Sequence, residues 1–362
     1  MVRTILIVAA ACVLAAAGAH AQEWQVEWDR TVAAAKTEGE LVIIQSGNPG
    51  RRQWLLERWA KDHPDIKLSV SMMRSNQLTQ RLKVERSADK YLWDLSMGGP
   101  NGLYEAARQG FLDPLRPEFI LPEVNDEKAW GGWEQAFYDT EKKYVMAVLN
   151  DFQAIWYNAK LVPPEKARRL GLRTLFDPDV MGRIAWQDPR QAGPGSLHAL
   201  FLYRALGEAD FRRFILDQKP TFFTAGDAAA EAMVREKAVL YLGPQLLDRL
   251  RPFVQAGIKI EVRPLGNTPD VGMVGSDGIT LSVFNKRPHP NATRVFVNWL
   301  LSKQVAFEIA KVQEMNSRRT DVPSVSGPDL AADPAKTYFN PQREEAEPEM
   351  AKVQTLLREL VP

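Results

Sequence analysis

Apolar runs of strand length alternate with helix-like segments along the first third of the chain. Residues 41–44 are all apolar, which is typical of a strand buried on both faces of a parallel sheet, and residues 51–62 then carry apolar side chains at helical spacing. The alternation continues with a strand at 66–72, a helix at 76–87, and a strand at 92–95 followed by another helix. This β-α-β-α-β order predicts an α/β fold with a mainly parallel sheet.

A second set of strands and helices follows, and no flexible linker separates it from the first. Strand-like segments occupy 144–149, 154–157, 183–186, 239–242, 259–263 and 279–284, and residues 196–206 have helical spacing. Without a linker, we expect strands to connect two lobes that are hinged, with a cleft between them. The expected boundaries are residues 22–148 plus 278–362 for lobe 1 and residues 149–277 for lobe 2.

The amino-terminal segment has the three parts of a secretory signal peptide. Arg3 supplies a positive charge, residues 5–17 form an apolar run too short to span a membrane, and a small-x-small tripeptide ends at Ala21. We therefore predict that residues 1–21 are cleaved and that the mature chain is periplasmic.

Cys12, the only cysteine of the chain, lies inside this leader. The cleaved chain would hold no thiol, which suits an oxidising compartment, and a chain of this length needs no disulfides. The alternative is a lipoprotein acylated at Cys12. However, Ala9 stands where such proteins usually have a leucine, and cleavage before Cys12 would leave an apolar amino terminus.

Charge and motifs exclude several classes of protein. Removal of the leader leaves 45 of the 46 Lys and Arg residues against 45 Asp and Glu residues, so the mature chain has no net charge. A neutral surface argues against nucleic acid or an anionic membrane as the main partner. The sequence also lacks the G-x-S-x-G, H-E-x-x-H and P-loop motifs, so we predict that the protein is not an enzyme.

Several segments together carry a resemblance to one family of proteins. They are Gln45-Ser46-Gly47, WDLSMGGPNGLYEAARQGFLDPL (93–115), AIWYNAKLVPPE (154–165), GRIAWQDPRQAGPG (182–195) and HPNATRVFVNWLLSKQVAFEIAK (289–311). In this order they resemble the periplasmic solute-binding proteins of ABC importers, in the group that includes ferric-ion and phosphonate binders. The resemblance covers nearly all of the mature chain.

The resemblance implies a type 2 periplasmic-binding fold, in which two hinged α/β lobes close on a ligand. It also implies a substrate-binding component that captures a small solute in the periplasm and delivers it to an inner-membrane ABC permease. We expect a monomer without a cofactor. Two alternatives stay open: a binder of ferric ion or of an iron complex, and a sensor subunit that reports its ligand to a membrane receptor.

Ligands of parallel α/β sheets lie at the carboxyl ends of the strands, which directs attention to the residues that follow each predicted strand. The candidate ligand-binding residues are Ser46, Gly47, Asn48, Ser96, Gly98, Asp151, Arg190, Gly195, Ser196 and Tyr241. Two of these have a structural alternative, because Asp151 would also suit a hinge and Tyr241 would also suit the core.

Residues 188–196 form a Pro- and Gly-rich loop that opens a helix. Backbone N–H groups at such a helix start favour an exposed anion by about 0.3–1 kcal/mol. Arg190 would add a guanidinium fork and Ser196 a hydroxyl donor. The alternative is that Ser196 caps the helix and Arg190 pairs with a carboxylate. Residues 46–52 form a similar turn, whose two arginines either contact the ligand or are solvated.

Metal binding is not favoured by the residues present. The ferric binders of this group hold iron with adjacent tyrosines, whereas this sequence has no Tyr-Tyr pair and its histidines form no cluster with ligand spacing. We therefore predict no metal site and an oxyanion ligand such as a phosphonate, phosphate ester, sulfonate or carboxylate. Trp156 and Trp186 are candidates for stacking on an aromatic ligand, with burial in the core as the favoured alternative.

Overall fold

The structure, a computed structural model, describes residues 23–46, 49–73, 75–191, 193–243, 245–276, 279–333 and 335–361. The predicted leader with Cys12, the candidates Gly47 and Asn48, and the expected lobe boundary at 277–278 lie outside these residues. The described chain forms two compact units. Unit 1 contains the described residues up to Leu149 and from 279 to Val325, and unit 2 contains those from Asn150 to Ser276 and from Ser326 onward.

Strands and helices alternate along most of the described chain. The strands are β1 (Glu40–Gln45), β2 (Lys67–Met72), β3 (Leu95–Gly98), β4 (Leu112–Asp113), β5 (Met146–Ala147), β6 (Asp151–Ala154), β7 (Trp156–Asn158), β8 (Ile184–Gln187), β9 (Thr221–Phe223), β10 (Leu240–Leu242), β11 (Val262–Pro264), β12 (Gly272–Gly275) and β13 (Thr280–Phe284). The helices are α1 (23–38), α2 (Pro49–Asp62), α3 (Ser75–Ser87), α4 (Pro100–Arg108), α5 (Trp133–Ala136), α6 (Pro164–Leu170), α7 (Pro194–Gln218), α8 (Gly226–Val234), α9 (Leu246–Gln255), α10 (Pro290–Leu301), α11 (Lys303–Gln313) and α12 (Glu347–Leu360). Short 3-10 turns lie at Arg116–Glu118, Glu127–Trp130, Gly171–Phe176, Pro178–Val180 and Glu344–Ala346.

Unit 1 is built on a mixed sheet in the order β2-β1-β3-β13-β4, with β5 beside β13. The strand β1 is parallel to both β2 and β3, whereas β13 runs antiparallel to its neighbours. Leu41 and Ile43 pack into one apolar cluster with α2 and α10, and Ile44 packs into another with α3 and α4. Because both faces of the sheet are covered by helices, β1 is apolar throughout its centre.

Unit 2 has a second sheet in the order β11-β7-β10-β8-β9, and β6 and β12 form a separate antiparallel pair. The strand β8 is parallel to β10 and β9, and β7 is antiparallel to β10 and β11. Trp186 of β8 is fully buried and packs 5.9 Å from Phe214 of α7. The predicted parallel arrangement therefore holds for three consecutive strands of each sheet, β2-β1-β3 and β10-β8-β9, and antiparallel strands complete the other side.

The carboxyl-terminal segment packs differently from the sequence prediction. The prediction placed all of 278–362 in lobe 1, whereas the chain from Ser326 onward belongs to unit 2. Val353 and Leu357 of α12 are fully buried in the core of unit 2, where α12 packs against α7. The apolar stripe of α12 does not encode which lobe the helix covers.

Most predicted elements occur within a few residues of their expected positions. The third strand is an exception, because it lies at Leu95–Gly98 rather than at 92–95. The helix predicted over 196–206 continues to Gln218, across a non-helical Gly207 with φ 75° and ψ 162°. No helix among the described residues combines the length and the apolar character needed to cross a membrane.

Candidate functional site

The carboxyl ends of β1 and β3 form a polar edge in unit 1. These strands are parallel neighbours, so the residues that follow them lie side by side, and the N–H of Ser46 donates to the carbonyl of Met97 at 3.0 Å. The backbone N–H of Gly99 in turn donates to the Ser46 hydroxyl oxygen at 3.2 Å. The same hydroxyl can also donate, and no residue that the structure describes accepts its proton.

The buried side chain of Arg51 is hydrogen-bonded to the backbone of this edge. Its side chain lies in the first turn of α2 and is 3% exposed. The guanidinium donates to the carbonyl oxygen of Ser46, and its Nη1 donates to Gln313 Oε1 at 3.3 Å. Sequence reasoning placed Arg51 either on the ligand or in solvent, because nothing local in the sequence signals that a helix-start arginine is buried. Arg51 therefore acts as a positioning residue with a positive charge close to the edge.

Three helices begin just after three neighbouring strands of this sheet. The helices α2, α3 and α4 follow β1, β2 and β3, and none of them has an acidic residue in its first turn. Gly99 precedes α4 in an extended conformation without any side-chain cap. Acidic side chains commonly offset the partial positive charge of a helix start, and the first turns of these three helices do not contain them.

Two other candidates of unit 1 lie inside the sheet. Ser96 is 1% exposed and is paired on either side with Ile44 and Ser282. Gly98 is buried at the end of β3, and its carbonyl accepts a hydrogen bond from the hydroxyl of Thr280 at 2.7 Å. Ser96 is thus an interior sheet residue, whereas Gly98 directly precedes Gly99 at the polar edge.

The guanidinium of Arg190 in unit 2 is occupied by protein groups. Its Nε and Nη2 both donate to the carboxylate of Asp188 at 3.0 Å, and its Nη1 donates to the carbonyl of Val361 at 3.1 Å. Hydrogen bonds from Arg190 hold the pKa of the Asp188 carboxyl below its usual value. The structure therefore favours the second interpretation of Arg190, pairing with a carboxylate, over the fork offered to an oxyanion.

Ser196 and Gly195 have structural roles at the start of α7. The hydroxyl of Ser196 donates to the carbonyl of Gly193 at 2.8 Å, which closes the first turn. A Cβ at Gly195 would lie 1.9 Å from the carbonyl oxygen of Gln187, so only glycine lets α7 approach β8 this closely. The loop thus uses its serine as a cap and its glycine for packing, and ligand contact by these two residues stays a prediction.

The remaining candidates of unit 2 are also engaged by the fold. Tyr241 and Trp186 are fully buried and Trp156 is 7% exposed, so all three belong to the core of this unit. Asp151 begins β6, and its carboxylate accepts a hydrogen bond from the hydroxyl of Ser326 at 2.9 Å. Burial explains the tryptophans without a stacked ligand.

No histidine that the structure describes belongs to a cluster of metal-ligating side chains. Burial lowers the pKa of His198 to about 4, and its two ring nitrogens lie 3.5 and 3.4 Å from the carbonyls of Pro194 and Ala154. His289 lies 2.9 Å from the fully buried carboxylate of Asp94. Within the described residues, no three His, Cys, Asp or Glu side chains are grouped closely enough to hold a metal ion.

Comparisons with solved structures show the fold. A Trichodesmium protein (IdiA, FutA) in complex with iron and citrate has 17% identity and a TM-score of 0.65, over 89% of this chain and 99% of that one. The ferric binding protein of Campylobacter jejuni has 15% identity and a TM-score of 0.65 over the same shares. The periplasmic binding protein AfuA of Actinobacillus pleuropneumoniae, with fructose-6-phosphate bound, has 18% identity and a TM-score of 0.58, over 89% and 98% of the two chains.

These similarities confirm the predicted type 2 periplasmic-binding fold. Among curated protein sequences, none matches this chain. The sequence profile described as "Bacterial extracellular solute-binding protein" matches residues 46–307, which is well over half of the chain. The match confirms the resemblance read from the sequence and the prediction that the protein binds a solute rather than catalysing a reaction. The chain therefore belongs to the bacterial extracellular solute-binding protein family.

Proposed function

We propose that this solute-binding protein captures a small organic compound bearing an oxyanion and delivers it to an inner-membrane ABC permease. The observation that carries the proposal is the polar edge of unit 1, where Ser46 has a hydroxyl proton to donate. That edge lies at the carboxyl ends of parallel strands, which is the usual position of ligands in α/β folds. We infer that Ser46 and Gly98 border the ligand there.

The charges around the edge support an anionic ligand. Three helix starts without acidic residues each favour an anion by about 0.3–1 kcal/mol. Arg51 adds a positive charge next to Ser46, and its buried guanidinium donates to the carbonyl of Ser46 and to the amide oxygen of Gln313. A phosphate ester, phosphonate, sulfonate or carboxylate fits this environment better than a cation.

Two of the similar structures contain ligands of the proposed class. The AfuA structure has fructose-6-phosphate bound, and the Trichodesmium structure holds citrate together with iron. Both organic ligands carry oxyanions. At 17–18% identity these proteins share only the fold with this chain, so their ligands guide the choice of compounds to test.

The proposal also covers where the protein acts. We infer that residues 1–21 are a cleaved signal peptide, that the mature protein is a monomer in the periplasm, and that closure of its lobes accompanies binding. Amino-terminal sequencing of the exported protein should begin at Gln22. A mature chain that begins at an acylated Cys12 would instead show a lipoprotein. X-ray scattering should show a smaller radius of gyration with ligand.

A thermal-shift screen tests the ligand class. The mature, metal-stripped protein would be heated with phosphonates, phosphate esters, sulfonates, carboxylates, polyamines and ferric citrate. A ligand present at about 1,000 times its Kd should stabilise the protein by about 4 kcal/mol. Stabilisation by metal-free oxyanions supports the proposal. A response confined to polyamines or to iron compounds would contradict it.

A further inference from the structure

Unit 2 contains a cavity that is lined by none of the candidate ligand-binding residues. Its volume is about 440 Å³, which is within the range of small-molecule sites. Residues 182–185, at the amino end of β8, form one wall, and α8 with the turn after it forms the other. Thr221 and Phe223 of β9 also line the cavity, which therefore extends beside β8 from its amino end to the level of Gln187, the residue paired with Phe223.

Small side chains create the space. Ala228 and Ala232 are four residues apart on α8, so they lie on one face of the helix, and both line the cavity. Ile184 and Ala185 of β8 line it from the sheet and are 1% exposed. These four residues give the cavity an apolar floor.

Cationic side chains surround this floor. Arg235 forms an ion pair with Glu231, and Arg183 donates to the carbonyl of Glu236 at 3.0 Å. Lys237 also lines the cavity, and its ammonium has neither a hydrogen bond nor an ion pair with any residue that the structure describes. Three cations against one carboxylate give the lining a net positive charge.

We propose that this cavity is a second binding site, for a small anion with a flat apolar body such as an aryl carboxylate or aryl sulfonate. The apolar body would lie on the alanine face of α8, and the anionic group would pair with Lys237. The site lies entirely within unit 2 and does not depend on the strand edge of unit 1. Its ligand need not be the solute that is transported.

Nuclear magnetic resonance titration with naphthalene-2-sulfonate tests the site. We expect saturable shifts of the amide signals of Thr221, Ala228 and Ala232. Lys237→Glu should weaken binding about tenfold, equivalent to about 1.4 kcal/mol. Lys259→Glu changes an exposed lysine outside the cavity and should leave binding unchanged. Naphthalene-2-methanol, which has the ring without the charge, should bind more weakly than the sulfonate.

A second variant tests the apolar floor. Ala228 is exposed, so Ala228→Trp should fill the cavity without disturbing the core and should abolish the shifts. Shifts that do not saturate, that occur elsewhere on the protein, or that survive both Lys237→Glu and Ala228→Trp would overturn the proposal. Thermal stabilisation by a phosphate ester should be unchanged in both variants, so failure at this site is distinguishable from failure at the strand edge.

Discussion

Two loops with similar sequences differ in how their polar side chains are hydrogen-bonded. Residues 46–52 in unit 1 and 188–196 in unit 2 both follow a strand, both contain glycine and proline, and both open a helix. In unit 2 the guanidinium of Arg190 is bound to Asp188, and the hydroxyl of Ser196 is bound to Gly193. In unit 1 the hydroxyl of Ser46 accepts from Gly99 and retains a proton to donate.

The difference shows that a ligand-binding motif and a self-capping motif use the same residue types. Serine, arginine and glycine at a helix start supply donors for an anion, and they equally satisfy the backbone of the loop itself. Both loops contain backbone donors, and the loop in unit 2 also contains Arg190 and Ser196. These two side chains are engaged within the fold, so the loop in unit 1 is the better candidate.

The largest effect should come from Gly195 of unit 2. Gly195→Ala places a Cβ 1.9 Å from the carbonyl oxygen of Gln187, and we expect a loss of about 3 kcal/mol in the free energy of unfolding. Chemical denaturation measures this loss. Gly327→Ala in the same unit is the matched control, because no atom lies within 4 Å of its Cβ position. Equal stability of the two variants would show that α7 does not need its close approach to β8.

Acid should also weaken unit 2 through His198. The pKa of this imidazole is lowered from 6.5 to about 4 by burial, so the unfolded chain binds the proton first as the pH falls. Its contribution to stability is present above pH 6.5 and is lost between 6.5 and about 4, which amounts to about 3 kcal/mol. Unfolding free energies measured across this window test the effect. In His198→Gln the free energy of unfolding should change less steeply with pH. An unchanged pH dependence would show that other groups cause the loss.

Substitution of Ser46 and of Ser196 should differ in its effect on ligand affinity. Ser46→Ala should weaken binding of an oxyanion about tenfold through the loss of one hydrogen bond, and it should lower the free energy of unfolding by at most about 1 kcal/mol because Gly99 loses its acceptor. Ser196→Ala should lower the free energy of unfolding by about 1 kcal/mol and leave the affinity unchanged, because its hydroxyl serves the first turn of α7.

Calorimetric titration and thermal unfolding of both serine variants provide the two measurements. Ser87→Ala replaces an exposed serine of unit 1 outside the edge and serves as the control. A loss of affinity in Ser196→Ala, with no loss in Ser46→Ala, would reverse the assignment of the two loops.

The smallest effect is expected at Arg190. Its ion pair with Asp188 is partly exposed, so Arg190→Gln should lower stability by at most about 1 kcal/mol. Affinity for an anionic ligand should not change, since the guanidinium already faces Asp188 and Val361. A tenfold loss of affinity at unchanged stability would show that Arg190 does bind the ligand.

Local patterns predicted most of the secondary structure but not the placement of every residue along it. The apolar run at 41–44 identifies β1 because helices cover both faces of its sheet. The third strand was predicted at 92–95 because its apolar residues lie there, yet the ladder begins at Leu95 and includes Gly98. Pairing with β1 and β13 fixes that register, and neither partner is adjacent in sequence.

The sequence by itself determined the α/β class, the order of the elements and the family, because these depend on periodicity and on segments of consecutive residues. Only the tertiary structure decided which donors remain for a ligand. Whether Arg190 meets Asp188 and Val361, or Arg51 meets Gln313, depends on contacts between distant segments. The same holds for the segment from Ser326 onward, whose apolar helix face packs on α7. Burial and partner geometry are properties of the packed chain, and no local pattern encodes them.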